Sequence, residues 1–266
     1  MLSLASKVIL TSTFLYLLAT VPVAVDSLPI VRRNDPILAP GGNFDMSFWE
    51  LQLPVGEPGS PITIESSKMQ GHDGYQDPGH HYFFTESGDG ALVMKVPGSP
   101  SSAGCVTTTH SLHCRTELRE VDPSTGAPTS WSSDGTNRLK ATLSVVLPDD
   151  SGHGTVIGQI HIDDSISSKP VCELFYNSDG DIAIGVEQSL EGGNEVVTKI
   201  GNVPVGQKFD YELEYSGNLL KVAINGVFHP SITVPFDPIK SYYKVGNYNQ
   251  GNSASDVHFY AITVEH

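Results

Sequence analysis

Short turn-forming stretches interrupt the chain again and again, and they limit its fold more than any other feature of the sequence. They combine glycine with Asp, Asn or Ser, and they lie at residues 87–90, 149–152, 178–180, 192–194, 216–218 and 225–226. Pairs such as Asn-Gly and Asp-Gly are typical of the tight turns that join antiparallel strands. The turns therefore favour a fold built from many short strands.

Between the turns, apolar and polar residues alternate with the period of two that is expected of a strand buried on one face. The clearest run puts one set of apolar side chains on a single face: Leu139, Ala141, Leu143, Val145 and Leu147. Residues 209–215 and 257–264 repeat the pattern, whereas residues 64–70 fit a short helix. The sequence predicts an all-β fold, a two-sheet antiparallel β-sandwich of the jelly-roll type.

The first 33 residues differ from the rest of the chain. Lys7 precedes an apolar run at residues 8–19, and small residues follow at 24–27. This order is typical of a secretory signal peptide, and the run is too short for a membrane span. We predict a signal peptide at residues 1–26 and a pro-peptide at 27–33 that ends at Arg32-Arg33, with a solvated arginine pair as the alternative. Residues 34–266 show no composition break, so we expect one domain in a secreted, extracellular protein.

The charge of the chain excludes two classes of partner. Lys and Arg number 15 against 30 Asp and Glu, which gives a formal net charge of −15. Such a surface repels the phosphates of nucleic acids and the headgroups of anionic membranes, so we expect neither as a partner. An anionic polymer could bind only at a site with its own concentrated cationic groups.

The chain has three cysteines and is predicted to meet an oxidising compartment. Cys105 and Cys114 can close a short loop, and this pairing is favoured over one that uses Cys172. Cys172 would then be a buried, small apolar residue rather than a nucleophile.

Residues 158–164, GQIHIDD, are the first of three predicted strands with an entirely polar face. In a strand, Gln159, His161 and Asp163 project from one face. Ile160 and Ile162 project from the other. One face of this strand would be buried, and the other would carry an amide, an imidazole and a carboxylate.

The second and third polar faces lie on residues 114–120 and 242–250. The second carries Arg115, Glu117 and Arg119, while Thr116 and Leu118 point the other way. The third carries Tyr242, Lys244, Gly246, Tyr248 and Gln250. Each face alone is common on a sheet surface. Because adjacent strands lie about 4.8 Å apart, the three together could form a polar, basic groove on one concave sheet, and such a groove in an acidic protein implies an anionic ligand.

Three segments resemble, in the same order, the signature strands of the alginate lyases of polysaccharide lyase family 7. They are residues 115–119 (RTELR), 159–161 (QIH) and 242–250 (YYKVGNYNQ). Residues 48–54 resemble that family's opening strand, and residues 257–264 its closing strand. Two departures are Val245, where the family usually has alanine, and the insertion between Cys105 and Cys114, which could reshape one end of the groove.

The resemblance implies a catalytic domain at residues 34–266 that cleaves alginate, an anionic polysaccharide of uronic acids, by β-elimination. It implies no metal and no cofactor, and we expect a monomer. Gln159 and Arg115 would neutralise the sugar carboxylate, His161 would be the base, and Tyr248 would donate a proton to the leaving O4 oxygen. For mannuronate, the family's tyrosine can take both proton-transfer roles.

The resemblance also implies a set of substrate-binding residues: Arg119, Glu117, Lys244, Gln250 and Tyr242. Glu117 is expected to orient both arginines. Ile160 stands where the family's Gln-Ile-His variant is associated with guluronate-containing blocks, so we expect these blocks to be preferred.

Other activities remain open at this point. A zinc site could use His110, His113 and Cys114, or His80-His81, but no second cluster completes it. Glycoside hydrolysis could use Glu117 and Asp163, although two flanking arginines would lower the pKa of Glu117 and make it a poor acid. A lyase acting on another polyuronate such as glucuronan, or a non-catalytic jelly-roll carbohydrate-binding protein, would share the same strands.

Overall fold

The computed structural model of the protein describes residues 33–237 and 239–266. The predicted signal peptide (residues 1–26) and residues 27–32 of the predicted pro-peptide lie outside the described residues. Within the part that is described, no helix combines the length and hydropathy that crossing a bilayer requires.

The described residues form mainly β-strands, as the turn pattern predicts. The strands are β1 (Trp49–Glu57), β2 (Ser60–Ile64), β3 (Phe83–Thr85), β4 (Leu92–Val96), β5 (Arg115–Glu120), β6 (Asn137–Leu147), β7 (Thr155–Ile162), β8 (Pro170–Tyr176), β9 (Asp181–Val186), β10 (Val196–Asn202), β11 (Phe209–Ser216), β12 (Leu219–Ile224), β13 (Val227–Phe228), β14 (Ile232–Thr233), β15 (Ser241–Tyr248) and β16 (Ser255–Glu265). The helices are α1 (Pro40–Asn43), α2 (Ser66–Met69) and α3 (Pro100–Ala103), with a 3₁₀ turn at Met46–Phe48. Helix α2 lies within the predicted helical segment.

The strands form two antiparallel sheets. The front sheet has the order β10-β9-β8-β7-β15-β5-β1-β2, and the back sheet has the order β13-β12-β11-β6-β16-β4-β3, with β14 also pairing with β12. At the centre of the front sheet, β15 lies between β7 and β5 and pairs antiparallel with both. The predicted two-sheet sandwich is thus confirmed, and its three polar-faced strands are neighbours although they are distant in the sequence.

The apolar faces of both sheets meet in a common core. From the front sheet, Leu118, Ile160 and Val245 are fully buried there. Cys172 is a free, buried residue of this core, and burial raises the pKa of its thiol well above the ordinary value, as expected of an inert side chain. Cys105 and Cys114 form the predicted disulfide.

One prediction about the core is wrong. Leu139 to Val145 alternate into the core as expected, but Leu147 is 49% exposed. The pairing of β6 with β16 shifts at this point: Val145 lies opposite Val257, and Leu147 lies opposite Asp256. Such a bulge adds one residue to a strand and changes the face to which the following side chain points.

Side chains of one sheet bind backbone carbonyls of the other. The Tyr211 hydroxyl of the back sheet donates to the Ile157 carbonyl of β7 at 3.0 Å. In the opposite direction, the Asn247 amide of β15 donates to the Met94 carbonyl at 2.9 Å. Ile157 lies where the pairing of β7 with β8 is irregular, so the tyrosine satisfies a buried carbonyl near a break in the regular pattern.

Gly158 of β7 shows how closely the two sheets approach each other. A Cβ atom at this position would lie 2.5 Å from the Tyr211 hydroxyl oxygen. We expect Gly158→Ala to lower the free energy of unfolding by about 1–3 kcal/mol, because a crowded core must displace a ring that is held by a buried hydrogen bond.

Gly135 provides the control, since a Cβ there would meet no atom within 4 Å. Gly135→Ala should leave the stability unchanged or raise it by less than about 1 kcal/mol. Urea unfolding of both variants checks the prediction. Equal stabilities would show that the two sheets do not pack tightly at Gly158.

Candidate active site

A cavity of about 440 Å³ lies on the outer face of the front sheet. Of the predicted site residues, those that line it are Arg115, Arg119, Gln159, His161, Tyr242, Lys244, Tyr248 and Gln250. Glu117 is almost fully buried among them. We call this cavity the groove; it also contains Asp164, Lys169, Glu173 and Glu187, so its charges are mixed.

The pairing of the three central strands explains how distant residues meet. Gln159 of β7 lies opposite Lys244 of β15, which lies opposite Arg119 of β5. Two residues further along β7, His161 lies opposite Tyr242. Tyr248 lies opposite Arg115. Alternate residues share a face, so the three strands present their polar side chains to one groove.

Gly246 permits the close approach of β15 to β5. Its φ of 157° lies in a region that favours glycine, and a Cβ would come within 2.6 Å of the Thr116 carbonyl oxygen. The pairing of β15 with β7 also shifts between Val245 and Tyr248. A β-bulge of this kind redirects the side chains beyond it, and here it precedes Tyr248.

Glu117 is the central acceptor of the site. One carboxylate oxygen accepts from Arg115 Nη1 and from Lys244 Nζ, each at 3.2 Å, and the other accepts from the Gln159 amide. Burial alone would raise the pKa of Glu117, but Lys244, Arg115 and the amide outweigh it and hold that pKa below the usual value. Glu117 is therefore an anion that fixes three groove side chains rather than an acid.

Glu117 contacts Arg115 but not Arg119, so the expectation that it orients both arginines is wrong. Arg119 instead binds Asp164 at 3.0 Å, approaches Glu50 to 3.9 Å, and lies over the Tyr242 ring at 4.1 Å from the centroid. Neighbouring side chains on one strand face are about 6.6 Å apart. Glu117 directs its carboxylate to Arg115 and Lys244 rather than to Arg119.

Lys244 carries a charge that is sensitive to pH. Burial lowers the pKa of its ammonium group, and Arg115 adds to this effect while Glu117 opposes it, which leaves the pKa at about 8. The group is thus charged at neutral pH and becomes neutral in mildly alkaline solution.

His161 is held as a neutral imidazole. Its Nδ1 lies 2.8 Å from the Ile162 carbonyl oxygen, which can only accept, so Nδ1 carries the hydrogen and Nε2 has a free lone pair. Burial, followed by the positive charge of Lys244, lowers the pKa of His161 well below its ordinary value. The ring stacks on Tyr242 with 5.0 Å between centroids. This arrangement presents a proton acceptor to the groove.

Tyr248 lies at the other end of the polar row. The guanidinium of Arg115 covers its ring, 3.8 Å from the centroid, and its hydroxyl lies 2.9 Å from Ser111 Oγ. Burial raises the pKa of Tyr248, although Arg115 acts in the opposite direction. The phenol is therefore protonated at neutral pH. Gln250, nearby, donates its side-chain amide to the Tyr248 carbonyl at 3.3 Å.

Asp163 does not share the polar face of β7, contrary to the alternation. The strand ends at Ile162, and the Asp163 carboxylate accepts from Ser130 and Ser165 in the following turn. Asp164 occupies the groove instead, where it also accepts from the Tyr242 hydroxyl at 2.9 Å. Asp163 is therefore not available as the second carboxylate that glycoside hydrolysis would need beside Glu117.

Further groove residues were missed, among them Ser111, His113 and Glu173. Ser111 and His113 lie on the loop between Cys105 and Cys114, for which the sequence offers no periodicity. Glu173 lies opposite Gln159 on β8, and the alternation of VCELF could have revealed it. Burial, followed by the charge of Glu195, raises the pKa of Glu173 to about 8, so this carboxyl is mainly protonated at neutral pH.

The ligands proposed for zinc are not arranged as a metal centre. Cys114 is oxidised in the disulfide, and the described part of the chain contains no group of three His, Cys, Asp or Glu side chains placed to hold an ion.

Comparisons with known proteins identify the family of the chain. The sequence pattern of the alginate lyase family matches residues 44–266. The chain is similar to an alginate lyase of Klebsiella pneumoniae, with 26% identity over an alignment that covers 84% of this chain and 88% of the relative.

Solved structures of alginate lyases have the same fold. The product complex of family 7 alginate lyase A1-II′ has a TM-score of 0.72 and 29% identity, covering 86% of this chain and 99% of that one. An alginate lyase of Pseudomonas aeruginosa has a TM-score of 0.70 and 28% identity, covering 84% and 99%. The chain therefore belongs to the alginate lyase family, within polysaccharide lyase family 7.

Proposed function

We propose that this alginate lyase is a secreted, monomeric enzyme that needs no cofactor and cleaves guluronate-containing blocks of alginate by β-elimination. The products would be oligosaccharides that end in an unsaturated uronate. The observation that carries the proposal is that a neutral imidazole, a protonated phenol and three donors to carboxylates line one groove. Secretion rests on the predicted signal peptide.

The first requirement is to neutralise the sugar carboxylate, because removing the adjacent C5 proton places a second negative charge on the same group. Arg115 and Lys244 supply two positive charges, and Glu117 supplies one negative charge to both. The surplus is available to a uronate. Gln159 uses one amide hydrogen on Glu117 and has a second for the substrate. Such fixed donors stabilise the charge that develops on the carboxylate.

The elimination then needs one base and one acid. His161 Nε2 takes the C5 proton, the electron pair forms the C4–C5 double bond, and the C4–O4 bond breaks. Tyr248 gives its proton to O4. The protonation states described above suit these roles, since His161 is neutral and Tyr248 is protonated. For mannuronate residues, Tyr248 would take both roles.

Related structures support a groove of this kind for oligosaccharides. A variant of alginate lyase A1-II′ with one tyrosine replaced by phenylalanine was crystallised in complex with product (GGG), and a variant with a histidine replaced as well was crystallised in complex with substrate (GGMG). The preference for guluronate rests on Ile160, which is buried in the core and would act through the packing beneath His161.

We expect the protein to release unsaturated uronate from polyguluronate faster than from polymannuronate, and to leave glucuronan intact. Ultraviolet absorbance of the new double bond measures all three reactions. Turnover of glucuronan alone would overturn the proposed substrate, and binding of alginate without any absorbance change would identify a carbohydrate-binding protein instead.

Tyr248→Phe and His161→Ala should each lower kcat on polyguluronate by about 10²- to 10⁴-fold, the usual contribution of an acid or base. Tyr243→Phe is the matched control, because Tyr243 lies on the same strand and points into the core. It should keep kcat within about twofold. A Tyr248→Phe enzyme with nearly full activity would remove the proposed acid.

The pH profile should follow Lys244 and His161. The pKa of Lys244 is about 8, so its charge is present below that pH and is lost above it, and Glu173, whose pKa is also about 8, gains a negative charge over the same range. Both changes weaken the attraction for a uronate, so kcat/KM should fall as pH rises through about 8. Because the pKa of His161 is lowered, kcat/KM should not fall when the pH drops through 6.5.

Lys244→Arg keeps its charge and should make the alkaline fall shallower, because only Glu173 still titrates near pH 8. Lys240→Arg, an exposed position just before β15, should leave the profile unchanged. An alkaline fall of the same depth in Lys244→Arg would exclude Lys244 as a contributor.

A further inference from the structure

Ser111 reaches the site from the loop that the Cys105–Cys114 disulfide closes. Its hydroxyl oxygen lies 2.9 Å from the Tyr248 hydroxyl oxygen. Ser111 itself lies outside the three signature strands. Its consequence depends on which of the two hydroxyl groups donates the hydrogen bond.

The neighbours of Ser111 Oγ answer this question. A serine hydroxyl has two lone pairs and one hydrogen. Two groups that can only donate point at this oxygen: the Arg115 Nη2 at 2.9 Å and the His113 backbone N–H at 3.1 Å. They fill both lone pairs, so no acceptor position remains for a hydrogen from Tyr248.

A hydrogen bond between the two hydroxyl groups must therefore use the single hydrogen of Ser111. Two acceptors lie within its reach, the Tyr248 oxygen at 2.9 Å and the His113 carbonyl oxygen at 3.1 Å. When Ser111 donates to Tyr248, the hydrogen of Tyr248 must point elsewhere, and the groove is the open direction because Tyr248 lines it.

We propose that Ser111 is a positioning residue that donates a hydrogen bond to the Tyr248 oxygen, directs the phenolic hydrogen toward the leaving O4 atom, and stabilises the phenolate that remains after proton transfer. The proposal rests on the proposed role of Tyr248 as the acid. No covalent bond to Ser111 forms or breaks. The Tyr248 proton moves to O4, the phenolate keeps the electron pair, and solvent later returns a proton to it.

Arg115 strengthens this arrangement. It donates to Ser111 and also lies over the Tyr248 ring. A cationic donor polarises the hydroxyl to which it donates, so the hydrogen bond that Ser111 passes on becomes stronger. A negative charge that appears on Tyr248 would thus be met by a donor whose hydrogen is already in place.

The effect on ionisation agrees with the geometry. Burial raises the pKa of Tyr248, whereas Arg115 and the hydrogen bond from Ser111 lower it, and Glu173 and Glu117 raise it. Another titratable neighbour is His113, whose ring lies edge-on to Tyr248 at 6.0 Å between centroids. Among these groups, only Ser111 combines contact with the phenol oxygen with freedom from charge of its own, so its removal changes one hydrogen bond and no charge.

A double-mutant cycle on polyguluronate tests the proposal. Ser111→Ala should lower kcat by about 10- to 100-fold, as for a lost hydrogen bond to a charged group, and should change KM by less than about threefold. In the Tyr248→Phe background, Ser111→Ala should have almost no further effect, because the atom on which Ser111 acts is missing.

Ser111→Thr keeps the hydroxyl and should recover most of the lost kcat, which separates the hydrogen bond from a general effect on the loop. Leu112→Ala, on the same loop with Leu112 84% exposed, should keep full activity. Thermal unfolding of each variant identifies any that fail to fold. If Ser111→Ala fails to fold, Ser111→Thr keeps the test decisive.

Two results would overturn the proposal. One is an equal loss of kcat from Ser111→Ala in the native and Tyr248→Phe backgrounds, and the other is a rise in KM with kcat unchanged. Either result would leave the proposed acid intact, whereas nearly full activity of the single Tyr248→Phe variant would refute the acid itself.

Discussion

The groove depends on one buried negative charge. Glu117 has lost almost all contact with water, and an uncompensated carboxylate in that position would be strongly destabilising. Arg115, Lys244 and Gln159 compensate it, and they come from the three central strands of the front sheet. The same contacts that make the carboxylate tolerable also fix the direction of the groups that a uronate would meet. Stability and substrate recognition therefore share one set of hydrogen bonds.

This arrangement also explains how an acidic protein can attract an acidic polymer. The net charge of the chain is −15, and carboxyl groups such as Asp164 and Glu173 lie within the groove itself. Glu173 is mainly protonated at neutral pH because its pKa is raised to about 8, whereas Arg115 and Lys244 keep their charges. Local protonation, rather than composition, determines the charge that the polysaccharide meets.

The sequence predicted what depends on strand periodicity. Ile160 and Leu118 enter the core, and the predicted groove side chains on the same strands point away from it. The failures occur where the period breaks: a bulge moves Leu147 outward, and β7 ends before Asp163. The partners of Arg119 were also mispredicted, because side-chain direction within a face is set by packing.

Two of the missed residues, Ser111 and Asp164, lie where position depends on tertiary structure. Ser111 belongs to a loop without any repeating pattern, and only the folded chain brings it to Tyr248. Asp164 lies one residue beyond the position that alternation selects. The resemblance to family 7 alginate lyases located the three central strands, but it carried no information about the insertion between Cys105 and Cys114.

That insertion makes the geometry of the groove depend on the redox state of Cys105 and Cys114. The covalent bond between Cys105 and Cys114 closes the loop that carries Ser111, and it ends directly beside Arg115. The disulfide thus constrains the loop that brings the Ser111 hydroxyl group to Tyr248, a position that no strand determines. A chain folded without an oxidant could form the same two sheets and still leave the loop that carries Ser111 without a fixed position beside the groove.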